Sequence, residues 1–117
     1  LAVAQGDEVA VVSAPPEEVL GVNDRIDLAT AEALLRRRIN EEHQRAGVTL
    51  RDPATTYIDD EVTIGRDTEL GPAVALRGRC VIGTHCRIDV GAVLTDVTVA
   101  DGTRLAPYAV ASGTRLS

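Results

Sequence analysis

The 117-residue chain has no Phe, no Trp, no Met and no Lys, and only two Tyr and two Cys. Aromatic side chains supply much of the bulk of a conventional globular core, so a thick layered core is disfavoured. A narrow interior filled by stacked Ile, Leu, Val, Thr and Ala needs no aromatics. All twelve basic residues are Arg, set against 18 acidic ones, and the net charge is −6. That balance argues against nucleic acid as a partner. No apolar run approaches the roughly 20 residues of a membrane helix. The start of the chain lacks the basic region and long apolar stretch of a signal peptide. The expectation is a cytoplasmic protein with no membrane contact. Because the chain begins at Leu1 and not at Met, it is expected to be a piece of a longer protein.

What the sequence does have is a six-residue beat. Ile58, Ile64, Leu70, Leu76, Ile82, Ile88 and Leu94 follow one another at intervals of six. The beat slips to Val99, resumes at Leu105, slips to Val110 and closes on Leu116. Four residues after each stands a small or β-branched residue: Val62, Thr68, Val74, Cys80, Cys86, Ala92, Thr98, Thr103, Ala109 and Thr114. A period of six fits neither an amphipathic helix nor a half-buried strand. It fits a parallel β-helix, in which each hexad lays one short flat face and then turns a corner. Three hexads complete a triangular coil, so residues eighteen apart should stack. Ile58, Leu76 and Leu94 are expected in one column, and Leu70, Ile88 and Leu105 in another. Val62, Thr68, Cys80, Cys86 and Ala92 should share that interior with Ile64 and Ile82. Asp60, Arg66, Arg79 and Asp101 should face outward. Gly65, Gly71, Gly83, Gly91, Gly102 and Gly113 are expected at tight corners with unusual backbone angles.

Cys80 and Cys86 could be read as a disulfide or a metal pair. Both occupy the small-residue slot of successive hexads, however, so buried structural thiols are expected. His85 lies in a turn between them. The span from Ile58 to Ser117 supplies about three coils. Nothing after Val110 reads as a cap, so the solenoid is expected to continue in a longer protein.

Upstream, Glu8–Ala14 reads as a strand ended by Pro15-Pro16, followed by one helical turn over 16–20 and a loop, Gly21–Arg25. Residues 27–46 read as a long helix of about 30 Å. Its apolar stripe would be Leu28, Ala31, Leu35, Ile39 and Ala46, widened by Leu34. Glu32–Arg36 and Glu41–Arg45 are expected as (i, i+4) ion pairs, with Gly47 as the left-handed stop. Arg36-Arg37-Arg38 point in different directions around the helix, which favours a solvated face over an anion site. Asp52-Pro53 marks a turn into the solenoid.

Three stretches then carry a family resemblance: Glu18-Val-Leu-Gly-Val-Asn-Asp-Arg25, the Leu-Leu-Arg-Arg-Arg-Ile39 core of the helix, and Ala46-Gly-Val-Thr-Leu-Arg-Asp-Pro-Ala54 leading into the hexads. With the hexads that follow, the resemblance covers nearly the whole chain. The chain resembles the bacterial bifunctional N-acetylglucosamine-1-phosphate uridylyltransferase / glucosamine-1-phosphate N-acetyltransferase family. The resemblance implies a mainly β fold, a left-handed parallel β-helix preceded by a long linker helix and the tail of an α/β nucleotidyltransferase domain. It divides the chain into residues 1–25 (that tail), 26–46 (linker helix) and 47–117 (the N-terminal coils of the acetyltransferase domain). It implies an enzyme of cell-wall, that is peptidoglycan, precursor synthesis. Such an enzyme makes UDP-N-acetylglucosamine by acetylating glucosamine-1-phosphate from acetyl-CoA and then joining N-acetylglucosamine-1-phosphate to uridylate from UTP. A homotrimer held by the β-helix is also implied.

One site residue carries over. The Asn of the family's Gly-Val-Asn motif binds Mg²⁺ and touches the nucleotide-sugar, and here it is Asn23. Mg²⁺ prefers oxygen ligands and takes few from protein. Taken on its own, Asn23 reads as a helix cap or turn residue; the flanking match to the family is what favours the metal role. The family's remaining metal and uracil ligands would lie before Leu1, and its acetyl-transfer His and Lys after Ser117. No acetyltransferase residue is therefore assigned, and the chain alone is expected to be inactive. Two alternatives stay open: another sugar-nucleotidyltransferase with a fused β-helix used for oligomerisation, and a non-enzymatic β-helical scaffold.

Overall fold

The structure, a computed structural model, describes residues 24–117. The expected strand at Glu8–Ala14, the helical turn at 16–20 and Asn23 lie outside the described residues. The chain divides into two compact units between Leu34 and Leu35.

Helix α1 spans Asp24–Arg45 and so takes in the last two residues of the expected loop. Asp24 and Asp27 stand in its first turn, and His43 and Arg45 in its last, each sign matching the helix dipole. Its end is a Schellman motif. Gly47 has φ +101°, its N–H donates to the Gln44 carbonyl at 3.1 Å, and Val48 N–H donates to the His43 carbonyl at 3.0 Å. Val48, just beyond, is buried and joins the solenoid core.

Twelve short strands follow: β1 (Thr49–Leu50), β2 (Tyr57–Ile58), β3 (Thr63–Ile64), β4 (Glu69–Leu70), β5 (Ala75–Arg77), β6 (Val81–Ile82), β7 (Arg87–Ile88), β8 (Val93–Thr95), β9 (Thr98–Val99), β10 (Arg104–Leu105), β11 (Val110–Ser112) and β12 (Arg115–Leu116). They build three four-stranded sheets in the orders β1-β4-β7-β10, β2-β5-β8-β11 and β3-β6-β9-β12. All pairings are parallel, and each strand pairs with the one a full turn away. The result is a triangular β-solenoid of about four turns, consistent with the left-handed β-helix expected from the hexads.

The columns fall where the beat places them. Ile58 pairs with Leu76 and Leu76 with Leu94. Leu70 pairs with Ile88 and Ile88 with Leu105. Leu70, Leu76, Ile88 and Leu94 are fully buried, and burial of each contributes about 1.5–3 kcal/mol. Ile64 and Leu105 are half-buried against the same core, while Asp60, Arg66, Arg79 and Asp101 are exposed.

Three details differ from the sequence reading. First, the solenoid starts at Leu50, which pairs with Leu70. A 3₁₀ turn over Pro53–Thr55 sits between β1 and β2, and it breaks the six-residue count. Second, the small interior slot is fixed at two residues before each beat residue. Val97 fills it with no exposure and Thr98 does not, because Leu94 and Val99 are only five apart. For the same reason Ala111 pairs with Leu94, and Val110 points outward at 78% exposure. Third, Gly83 is required by space and not by a positive φ. A Cβ there would come within 2.8 Å of the Asp101 backbone nitrogen in the next coil.

Candidate functional site

Asn23, the residue assigned to Mg²⁺ and substrate, lies outside the described residues. Among the described residues there is no group of three His, Cys, Asp or Glu placed to hold a metal ion. Cys80 and Cys86 are buried free thiols. Cys80 Sγ lies 3.5 Å from the Leu94 carbonyl, and Cys86 Sγ lies 3.1 Å from the Ala100 carbonyl. They are structural groups in the small-residue slot. His85 Nε2 lies 3.5 Å from Asp67 Oδ2, with both side chains mostly exposed; such a surface pair contributes little.

The three outer faces of the solenoid differ in chemistry. On the β1-β4-β7-β10 face, Glu69 Oε2 lies 3.6 Å from Arg51 and Glu69 Oε1 lies 3.6 Å from Arg87, and Arg104 stacks on Arg87 across the ladder. On the β2-β5-β8-β11 face the register stacks Tyr57, Ala75, Val93 and Val110, an apolar column. On the third face Thr63, Val81 and Thr98 stack in one line.

The most constructed polar arrangement is where the C-terminal half of α1 meets the first coil. Asn40 is 1% exposed in the middle of a helix. Its Nδ2 donates to the Pro53 carbonyl at 2.9 Å and to the Thr56 carbonyl at 3.1 Å. Thr56 is fully buried, and its hydroxyl donates to the Asp52 carbonyl at 2.9 Å, which holds the 3₁₀ turn in place. Asn40 Oδ1 is buried with no partner among the described residues. Two hydrogen bonds contribute about 1 kcal/mol each, and an unpaired buried acceptor costs about 1–3 kcal/mol, so the gain in stability is close to cancelled.

One turn earlier, the Arg36 guanidinium lies 4.4 Å from the centre of the Tyr57 ring, within cation–π range. Among the described residues no ion pair joins Glu32 to Arg36, whereas Glu41 takes both Arg37 at 3.1 Å and Arg45 at 3.6 Å. One turn later, burial pushes the His43 imidazole below its usual pKa, and neighbouring Glu42 raises it only in part. The face of α1 turned to the coil is thus Arg36, Ile39, Asn40 and His43. Of the expected stripe, Ile39 lies on that face and packs against the core, whereas Leu28, Leu34 and Leu35 are 53–62% exposed. Sequence reasoning missed Asn40. The available signal was an Asn inside a helix, where its side chain competes with the backbone unless it is engaged elsewhere.

No protein-family model matches the chain. Curated relatives do. It is 46% identical over 114 residues to the bifunctional protein GlmU of Anaeromyxobacter dehalogenans, covering 97% of this chain and 23% of that protein. It is 48% identical over 99 residues to the bifunctional protein GlmU of Symbiobacterium thermophilum, covering 84% of this chain and 21% of that protein. It is 56% identical over 84 residues to that of Mycolicibacterium vanbaalenii, covering 72% and 17%. The chain spans about a fifth of the length of these relatives. With the β-solenoid and its preceding helix in place and identity at this level along most of its length, the chain belongs by sequence to the family of the bifunctional protein GlmU.

Proposed function

We propose that this chain is a segment of a bifunctional transferase that makes UDP-N-acetylglucosamine in the cytoplasm. One half acetylates glucosamine-1-phosphate from acetyl-CoA, and the other transfers uridylate from UTP to N-acetylglucosamine-1-phosphate. The observation that carries this reading is the 46% identity to a bifunctional GlmU over 97% of the chain. In this reading residues 1–25 close the uridylyltransferase half, 26–46 form the linker helix, and 47–117 begin the acetyltransferase half.

Each half asks something different of this chain. To the uridylyltransferase half it gives Asn23, whose amide oxygen is suited to a hard cation such as Mg²⁺; the ion, when bound, neutralises phosphate charge. To the acetyltransferase half it gives a rigid prism with no Lys and no assigned acetyl-transfer base. The apolar outer column of Tyr57, Ala75, Val93 and Val110 supports a homotrimer built through the β-helix. The test is to assay the full-length protein for UDP-N-acetylglucosamine formation from UTP, and for CoA release from acetyl-CoA with glucosamine-1-phosphate. Both activities are expected; a protein with only one of them refutes the bifunctional reading.

A further inference from the structure

We infer that Arg36 and Asn40 form a latch that seats the Leu35–Arg45 half of α1 on the first coil, and that this latch can open while the coils stay wound. The two residues are one turn apart and therefore share a face of the helix. Each engages a different part of the first coil. Asn40 holds the Pro53 carbonyl at the start of the 3₁₀ turn and the Thr56 carbonyl just beyond its end, and Arg36 covers the Tyr57 ring. Beyond these, Ile39 is the one apolar side chain of α1 packed against the solenoid core.

The coils do not depend on this contact. Their strands pair with one another through every turn, and their core residues run from Val48 to Val99 without any from the helix. The helix does depend on it. A helix with so little apolar docking surface is marginal in water by itself. Asn40 also carries a buried Oδ1 with no partner among the described residues, which offsets much of what its donors gain. An amide kept under those terms serves geometry more than stability, because its two donors aim at two carbonyls that exist together only in the folded turn.

The test uses hydrogen exchange of backbone amides in the full chain with Asn40→Leu, which keeps the volume, removes both donors and leaves the Pro53 and Thr56 carbonyls unpaired whenever the helix is seated. Amides of Leu35–Arg45 are expected to exchange at least tenfold faster, while those of Gly71, Gly83 and Arg87, bonded between coils, stay unchanged. Wild-type helix protection in Asn40→Leu would mean that Asn40 only fills space, and the latch would be overturned. Coil amides losing protection in step with the helix would overturn the independence of the two. Should Asn40→Leu fail to fold, Arg36→Ala decides. An acceleration of twofold or more confined to the helix supports the latch, and any other pattern overturns it.

Discussion

Ala73 holds φ at +60°, in the left-handed region, and so do Asp67, His85, Asp96 and Tyr108. Each stands three residues before an inward beat residue, where the coil turns its corner. The same corner position is glycine at Gly91 and Gly102. A left-handed L-residue costs about 1–2 kcal/mol, more than the 0.5–1 kcal/mol a glycine loses in chain entropy. Ala73→Gly is therefore expected to stabilise the protein by about 0.5 kcal/mol, read as a higher urea midpoint. The opposite sign is expected of Gly83→Ala, whose Cβ would strike the Asp101 backbone; overpacking of this kind costs about 1–3 kcal/mol. His43 gives a pH signature. Its folded pKa lies below the usual value of 6.5 because burial disfavours the charged ring. The unfolded chain thus binds the proton first as pH falls. Stability is fully present above pH 6.5 and is lost as pH drops towards the folded pKa. Thermal melts at pH 7.5 and 5.5 should show a smaller fall in His43→Gln than in wild type.

Elements in the solenoid are set by counting, and the direction of counting matters. Forward from Leu94, four residues lead to Thr98; backward from Val99, two lead to Val97, the residue that is in fact buried. Val97→Asp is expected to cost more than about 3 kcal/mol, the range for a buried uncompensated polar group, and Thr98→Asp less than about 1 kcal/mol. Chemical denaturation of the two variants checks this directly. The beat itself was legible from sequence alone, because identical side chains at identical points of a coil leave a periodic mark. Gly47 was legible as a helix stop because its chemistry is local. The stripe on α1 was legible only at Ile39, which packs against the coil core. Leu35, one turn earlier, is exposed, and beside Ile39 the coil offers two backbone carbonyls that select Asn40. Leu50 escaped for a related reason, since Pro53–Thr55 inserts itself into the count and leaves no periodic trace. Asn23 rests on the resemblance alone.

At the scale of the whole molecule, the proposed function places the two reactions in different halves of a longer protein. In the full-length protein, Asn23→Ala is expected to lower uridylyl transfer tenfold or more and to leave acetyl transfer intact, because positioning carries most of the catalysis in phosphoryl chemistry. Equal loss of both would point to misfolding, and no loss would return Asn23 to a helix cap. The purified 117-residue chain is expected to turn over neither reaction. The shortened corner between Leu94 and Val99 bears on how such a chain can change. In an ordinary strand, one deleted residue turns every later side chain to the wrong face. Here the loss is absorbed within a single bend, and Val99 still pairs with Ile82. Each corner restarts the count, so errors in length do not propagate. A gene encoding such a coil can gain or lose single codons at its bends and still specify the same interior.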